Sequence, residues 1–403
     1  MGLLETPSSF RGEDAAPGPC AVCRGGAREV LQTQTLALLG RDAPCTIHFS
    51  ACRTCGHLQQ WPPVPPDLMA YHYRSFATYE LFGEPEKLRA APPSRHAARF
   101  LSLARDIGLT PGRAYEVGCA SGEMLNQFRR EGWRVGGCDP SPSAIAQAKT
   151  IFGIESDLGG EEDTLPRQQG LDLILICHVL EHLYDPAAAL ARIHDALAPG
   201  GMLMLEVPCA TAIDLLPPGW FTFEHLHYYQ PAILERLLAR AGFEVVEMRI
   251  AMRAEHYPVI AVAARKAAPV QAEAACNAEA ALALARDYVA RDAAFWAGTD
   301  RKLADITGPA FIYGGGIHTA QLLDHTGFAH RARVIAIADR DSKKWGQTLA
   351  GHPMISPAQL FADERDAPVI ISSYVSERAI ARALLDGGIA RQRIRTLYHA
   401  LPA

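Results

Sequence analysis

Nowhere in its 403 residues does the chain hold an apolar run approaching the roughly 20 residues a membrane-spanning helix needs. The opening segment, 1–18, lacks both the basic start and the apolar centre of a secretory signal. Cytoplasm is therefore the expected location, with no membrane partner. Met1-Gly2 has only Thr6 to support a myristoylation signal, and none is expected. An excess of positive charge is missing too: 39 Lys and Arg stand against 44 Asp and Glu, a formal charge of -5. That balance gives no reason to expect nucleic acid or an anionic surface as partner. What is present, 49% hydrophobic and 21% charged residues, is the composition of a soluble globular protein, and a small-molecule substrate is the expected partner. The length exceeds one ordinary core and calls for two to three domains in an expected monomer. Without export, the ten cysteines are expected to stay reduced, where paired cysteines more often bind metal than each other.

Cys20-Ala21-Val22-Cys23 and Cys52-Arg53-Thr54-Cys55-Gly56-His57 are two C-x-x-C pairs around an apolar, β-prone segment. Each pair can offer two thiolates to one tetrahedral zinc, with Gly56 supplying the tight turn of a metal knuckle. The intervening stretch is longer than the commonest zinc-ribbon spacing, and a hairpin would close it. The alternatives are four unrelated core cysteines or a redox pair, and neither C-x-x-C opens a thioredoxin-like helix. Four thiolates leave no open position for substrate, so the expected zinc is structural. Cys45 and His57 are weaker alternative ligands.

The rest of the chain is organised around Tyr115-Glu116-Val117-Gly118-Cys119-Ala120-Ser121-Gly122. Residues 112–117 read as a strand and 124–130 as a helix, and a strand that turns on glycine into a helix brings bare backbone N–H groups close to a ligand. About twenty residues on, 133–138 reads as a second strand ending in Asp139, where a carboxylate holds a nucleoside ribose through its hydroxyls. The dinucleotide fingerprint G-x-G-x-x-G does not fit, because three residues separate Gly118 from Gly122. With Glu116 ahead of it, the spacing resembles motif I of class I S-adenosylmethionine (SAM) methyltransferases. That resemblance implies that Glu116, Gly118, Cys119 and Gly122 line the methionine end of SAM and that Asp139 takes the ribose. Asp157 and Leu158 would meet the adenine, and His178 completes the expected cofactor set.

Taken in order, Trp61-Pro62-Pro63-Val64-Pro65-Pro66 marks a boundary, since its prolines fix an extended path. The hydroxyl-rich 71–79 is either a packed connector or a lid presenting Tyr73 or Tyr79. From 112 to about 245 the β-α alternation implies a parallel sheet covered on both faces. Residues 171–177 form an apolar run, a strand buried on both sides. His178-Val179-Leu180-Glu181-His182 follows at its ligand-binding end. Phe221-Thr222-Phe223-Glu224-His225-Leu226-His227-Tyr228-Tyr229 is either a surface loop or a place of proton transfer near the cofactor. Residues 272–306 read as a helix crossing between domains. At Tyr313-Gly314-Gly315-Gly316 a second glycine turn opens a Rossmann-like unit with Asp339 after its next strand. Thr319 stands where a third dinucleotide glycine belongs, so the turn holds NAD, a substrate phosphate, or nothing.

This order of parts resembles the sugar C-methyltransferases, which methylate nucleotide-linked keto sugars in deoxysugar and antibiotic biosynthesis. The resemblance rests on the four cysteines, the glycine turn, Glu206-Val207-Pro208 and Glu224-His225 ahead of a Tyr-rich turn. It implies an α/β fold: a class I methyltransferase Rossmann-like core with a small N-terminal zinc-binding domain and a second, C-terminal Rossmann-like domain. Boundaries are drawn at 1–17 for a flexible start, 18–70 for the zinc domain, 71–265 for the SAM domain and 266–403 for the linking helix and C-terminal domain. Where the family carries Tyr-His-Glu-His, this chain has Thr222-Phe223-Glu224-His225, and the family's Tyr-Gly-Ala turn is Tyr313-Gly314-Gly315-Gly316. By resemblance His225 is the base that removes a proton next to the ketone, a task histidine performs without special tuning. Glu224 would hold a substrate hydroxyl, and His182 or Tyr79 would donate to the enolate oxygen. An O- or N-methyltransferase would use the same residues, and a nucleotide-sugar dehydrogenase or binding protein would use the second glycine turn.

Overall fold

The computed structural model describes residues 10–11, 18–41, 43–76, 81, 83–252, 257–268, 277–363 and 366–401. The expected lid residue Tyr79 lies outside them. Among the described residues no helix is long and apolar enough to cross a membrane.

An antiparallel ladder opens the fold: β1 (Arg28–Leu36), β2 (Cys45–Cys52) and β3 (Leu58–Gln60). The hairpin β1–β2 brings the two C-x-x-C pairs together, and the helix Pro66–Phe76 follows through the boundary drawn at residue 70.

Seven strands make the central sheet. These are β4 (Arg113–Val117), β5 (Arg134–Asp139), β6 (Asp157–Leu158), β7 (Leu171–Cys177) and β8 (Leu197–Pro208), then, after β9 (His227–Tyr228), β10 (Phe243–Ala251) and β11 (Val259–Lys266). Their order is β10-β11-β8-β7-β4-β5-β6. β4 pairs in parallel with both β5 and β7, so chain direction away from the sheet divides at their carboxyl ends and opens a crevice there. The sheet is not wholly parallel as expected. β11 enters antiparallel between β8 and β10, because the segment joining β10 to β11 is too short for a crossover. In β7 every residue but Asp172 and Cys177 is buried, as a central strand requires.

β9 departs from the order of the central domain. It leaves the central sheet and becomes the fourth strand of the N-terminal one, pairing Leu58 with Tyr228 and Gln59 with His227. The string 221–229 is thus shared between the two units.

The helix Ala278–Lys302, capped by the Asn277 side chain, leads to a six-stranded sheet. Its strands are β12 (Pro309–Tyr313), β13 (Arg333–Ala338), β14 (Thr348–Leu349), β15 (His352–Ile355), β16 (Val369–Ile371) and β17 (Ile394–Thr396), in the order β14-β15-β13-β12-β16-β17. All pairs but β14–β15 are parallel, which gives the second Rossmann-like unit.

Candidate functional site

The sulfurs of Cys20, Cys23, Cys52 and Cys55 all lie within 4.8 Å of one another. Two pairs are closer, Cys20 to Cys55 at 3.8 Å and Cys23 to Cys52 at 3.5 Å. Zinc–sulfur bonds of about 2.3 Å require tetrahedral edges of about 3.8 Å, which these two pairs match or approach, so the four sulfurs are a candidate set for the ion. Cys45 is buried elsewhere, against Ile47 and Phe49, and His57 turns its ring to His227. Neither belongs to the set.

At the glycine turn, Gly118 has φ 73° and Gly122 φ 81°, values that favour glycine. A Cβ on Gly118 would stand 2.4 Å from Val179 Cγ2, so the turn and the end of β7 touch through a missing side chain. The turn offers less bare backbone than expected. Gly118 and Cys119 both donate to Cys138 O, Ala120 to Asp139 Oδ2 and Gly122 to Cys119 O. Asp139 also accepts from Ser141 N at 2.8 Å, so backbone donors hold both oxygens of this buried carboxylate, and burial raises its pKa. Glu116 Oε2 is buried without a partner, and burial, Glu123 and Asp139 together hold its carboxyl well above the ordinary range. An ammonium group would relieve that orphaned atom, which is the fit a methionine end requires. Cys119 packs against Leu125, Ile151, Phe152 and Ile154. Leu158 presents an exposed apolar side chain on β6, while its neighbour Asp157 accepts from Tyr115 Oη at 2.8 Å. Adjacent strand residues face opposite ways, so these two do not act on one ligand as a pair.

His178, at φ 54°, sits beyond β7 between two carboxylates, 3.2 Å from Glu181 Oε1 and 3.2 Å from Glu206 Oε1. Glu206 is fully buried and also receives Arg99 through two nitrogens at 2.7 Å and His96 Nδ1 at 2.6 Å. Burial opposes charge on His178, but the two carboxylates outweigh it and raise its pKa to about 9. A folded value above the unfolded 6.5 means that this stabilisation is complete below that pH and is lost as pH rises through about 9. The thermal midpoint is expected to fall across that window, and His178→Asn to flatten the fall. Scanning calorimetry from neutral to alkaline pH checks this; an unchanged slope in the variant counts against it.

The string 221–229 brings Glu224, His225 and His182 together, as the sequence suggests, but each is already engaged. Backbone between Phe221 and Leu226 is irregular, which frees adjacent side chains from strand alternation. Glu224 Oε2 lies 3.0 Å from His72 Nε2. Burial works to raise the Glu224 carboxyl, and the His72 bond outweighs it and holds it low. His182 Nδ1 contacts Glu224 O and Tyr73 Oη, both at 2.9 Å. A carbonyl only accepts, so Nδ1 carries a proton, and Nε2 lies 3.9 Å from Glu181 Oε1. The His225 ring, 4.9 Å from that of His182, is buried, and its Nδ1 has no partner. Burial first, then His182, push its pKa down to about 4, so the expectation that this histidine needs no tuning is corrected. Leu226 N donates to Glu181 O, docking the string beside the end of β7.

Sequence reasoning missed His72, Glu181, Arg99 and His96 as members of these networks. Only Glu181 carried a signal, through its place beside His182 at a strand end. In the C-terminal turn, Asp339 accepts from Gly315 N, Asp341 N and Lys344 Nζ, and Thr319 Oγ1 donates to Gly314 O. The residue in place of the third glycine therefore closes the turn on itself.

A family model described as a methyltransferase domain matches residues 88–248. Over 166 residues the chain is 28% identical to a ubiquinone biosynthesis O-methyltransferase of Xylella fastidiosa, covering 36% of this chain and 66% of that protein. Over 216 residues it is 27% identical to the C-methyltransferase NovU of Streptomyces niveus, covering 50% of this chain and 47% of that one. It spans from about half to just under two-thirds of the length of these curated relatives. A solved SAM-dependent methyltransferase from Mesorhizobium loti superposes with a TM-score of 0.36 at 19% identity, covering 42% of this chain and 97% of that one. The matched segment holds β4 to β8 and the glycine turn, and with β10 and β11 completing the sheet this part of the chain has the α/β, Rossmann-like fold of a class I methyltransferase domain.

Proposed function

We propose that the chain is a SAM-dependent C-methyltransferase acting on a nucleotide-linked keto sugar, with His225 removing the proton next to the ketone. The observation that carries this reading is the buried His225 ring, its Nδ1 unpartnered, among Glu181, His182 and Glu224 and docked at the end of β7. Methylating oxygen or nitrogen needs little beyond positioning, whereas a carbon nucleophile has first to be made by a base. SAM supplies an electrophilic methyl group on a sulfonium. Glu116 would hold its methionine end and Asp139 its ribose, with Gly118 and Gly122 giving clearance. His225 takes the proton on its ring. Cys20, Cys23, Cys52 and Cys55 would hold a structural zinc. Product NMR tests the proposal: a new methyl on carbon supports it, and an O- or N-methyl shift replaces it with the reading that the O-methyltransferase relative favours.

Asp139→Ala is expected to weaken SAM binding by about tenfold to a hundredfold, the scale of one or two hydrogen bonds to a charged group. Calorimetric titration with S-adenosylhomocysteine measures it, and unchanged affinity would take Asp139 out of the cofactor set.

A further inference from the structure

The carbonyls of the string that carries Glu224 and His225 are held from outside the methyltransferase domain. Gln60, on β3, directs its side-chain nitrogen at Thr222 O, Phe223 O and His225 O, at 3.2, 2.7 and 3.1 Å. Its oxygen accepts from Val64 N at 3.3 Å, so the bonds on both ends of the amide fix which way it points. Gln34, on β1, donates to Phe221 O at 3.2 Å. Gln321, on the helix Ile317–His325 of the C-terminal unit, donates to Gly219 O and Phe221 O, at 3.1 and 2.8 Å. All three glutamines are buried.

We propose that Gln60 and Gln321 are positioning residues for catalysis: they clamp the backbone at 219–225 from the N-terminal and C-terminal units and so set where the His225 ring stands. The proposal rests on the reading of 221–229 as the catalytic string. Irregular backbone has no ladder of its own to hold it, and a base displaced by about an ångström loses most of its effect. Glutamine suits the task because its uncharged amide satisfies buried carbonyls without bringing a charge that would shift the neighbouring imidazoles. Gln321 also follows the glycine turn at Gly314–Gly316 on its own helix, so the clamp joins all three units at one string.

The test uses the full chain with S-adenosylhomocysteine bound and the variants Gln60→Met and Gln321→Met, which keep volume and remove the donor. S-adenosylhomocysteine affinity and zinc content are expected to stay within about twofold of the parent chain. Amide exchange across 219–229 is expected to rise by about tenfold or more. The His225 ring, followed by NMR against pH, is expected to move its midpoint from about 4 towards 6.5 as the string loosens. Unchanged exchange and midpoint in both variants would overturn the clamp. Loss of S-adenosylhomocysteine binding in both would reduce the glutamines to structural residues and overturn it equally. If only Gln60→Met fails to fold, Gln321→Met decides. Full turnover by His225→Ala on a thymidine-diphosphate-linked keto sugar, with a loosened string in Gln60→Met, would end the base reading and leave the clamp. The opposite pair of results ends the clamp alone.

Discussion

His225→Ala is expected to bind SAM and S-adenosylhomocysteine normally and to lose about two to four orders of magnitude in turnover on a nucleotide-linked keto sugar. The size follows from what a positioned base contributes to a proton-transfer step. The ring is buried and its Nδ1 unpartnered, and a pKa near 4 leaves it neutral, ready to accept, throughout the neutral range. The low value comes chiefly from burial, with Glu181 and Glu224 pulling the other way. Those carboxylates stabilise the imidazolium once the proton arrives, and the value near 4 already includes their pull. The acid limb of the rate profile should accordingly fall near pH 4 rather than near 6.5. Single-turnover assays with bound SAM measure the loss directly. Near-normal rates in His225→Ala, or an acid limb near 6.5 in the parent chain, would remove this histidine from the chemistry.

Much of the scaffold was legible because its signals are local. The apolar run at 171–177, the glycine turn at Gly118 and the acid at Asp139 are set by backbone conformation and strand burial, and the structure has β4, β5 and β7 where those signals lie. The four cysteines were equally legible, since zinc chemistry fixes residue type and spacing together. What escaped the sequence depends on distant pairing. β11 reads as one more apolar stretch, and nothing in it states that it runs antiparallel between β8 and β10. The two residues of β9 carry no strand signal of their own; they are held by β3, more than 150 positions away in the chain. His72 and Arg99 are ordinary helical residues until folding brings them to Glu224 and Glu206. For the same reason the tuning of His225 was invisible, being a property of what surrounds the ring.

Stripping the metal site, by a strong chelator or by Cys55→Ser, is expected to abolish turnover while S-adenosylhomocysteine affinity falls less steeply. Binding of a structural zinc by four cysteines is worth about 10–16 kcal/mol, comparable to the whole stability of a domain, so the small N-terminal ladder is not expected to survive without it. The consequence reaches the chemistry through two connections. Cys55 is followed by Gly56, His57 and then β3, whose pairing with β9 anchors the residues just after His225. His57 Nε2 also meets His227 Nδ1 at 3.0 Å inside the same joint, and His227 Nε2 donates to Leu183 O. If the ladder melts, β9 loses its partner strand and Gln60 leaves the carbonyls around Glu224 and His225, although neither side chain belongs to the four-cysteine set. Cofactor binding should be partly spared because Asp139 and Glu116 belong to strands of the separate central sheet and Gly118 directly follows one of them. Some loss is still expected, since Cys20, Cys52 and Cys55 pack in one cluster with Leu190, Leu237 and other residues of the central domain. Metal content, S-adenosylhomocysteine titration and methyl transfer measured on one preparation separate these effects. A metal-free chain that still transfers methyl at the parent rate would show that the ladder does not govern the string.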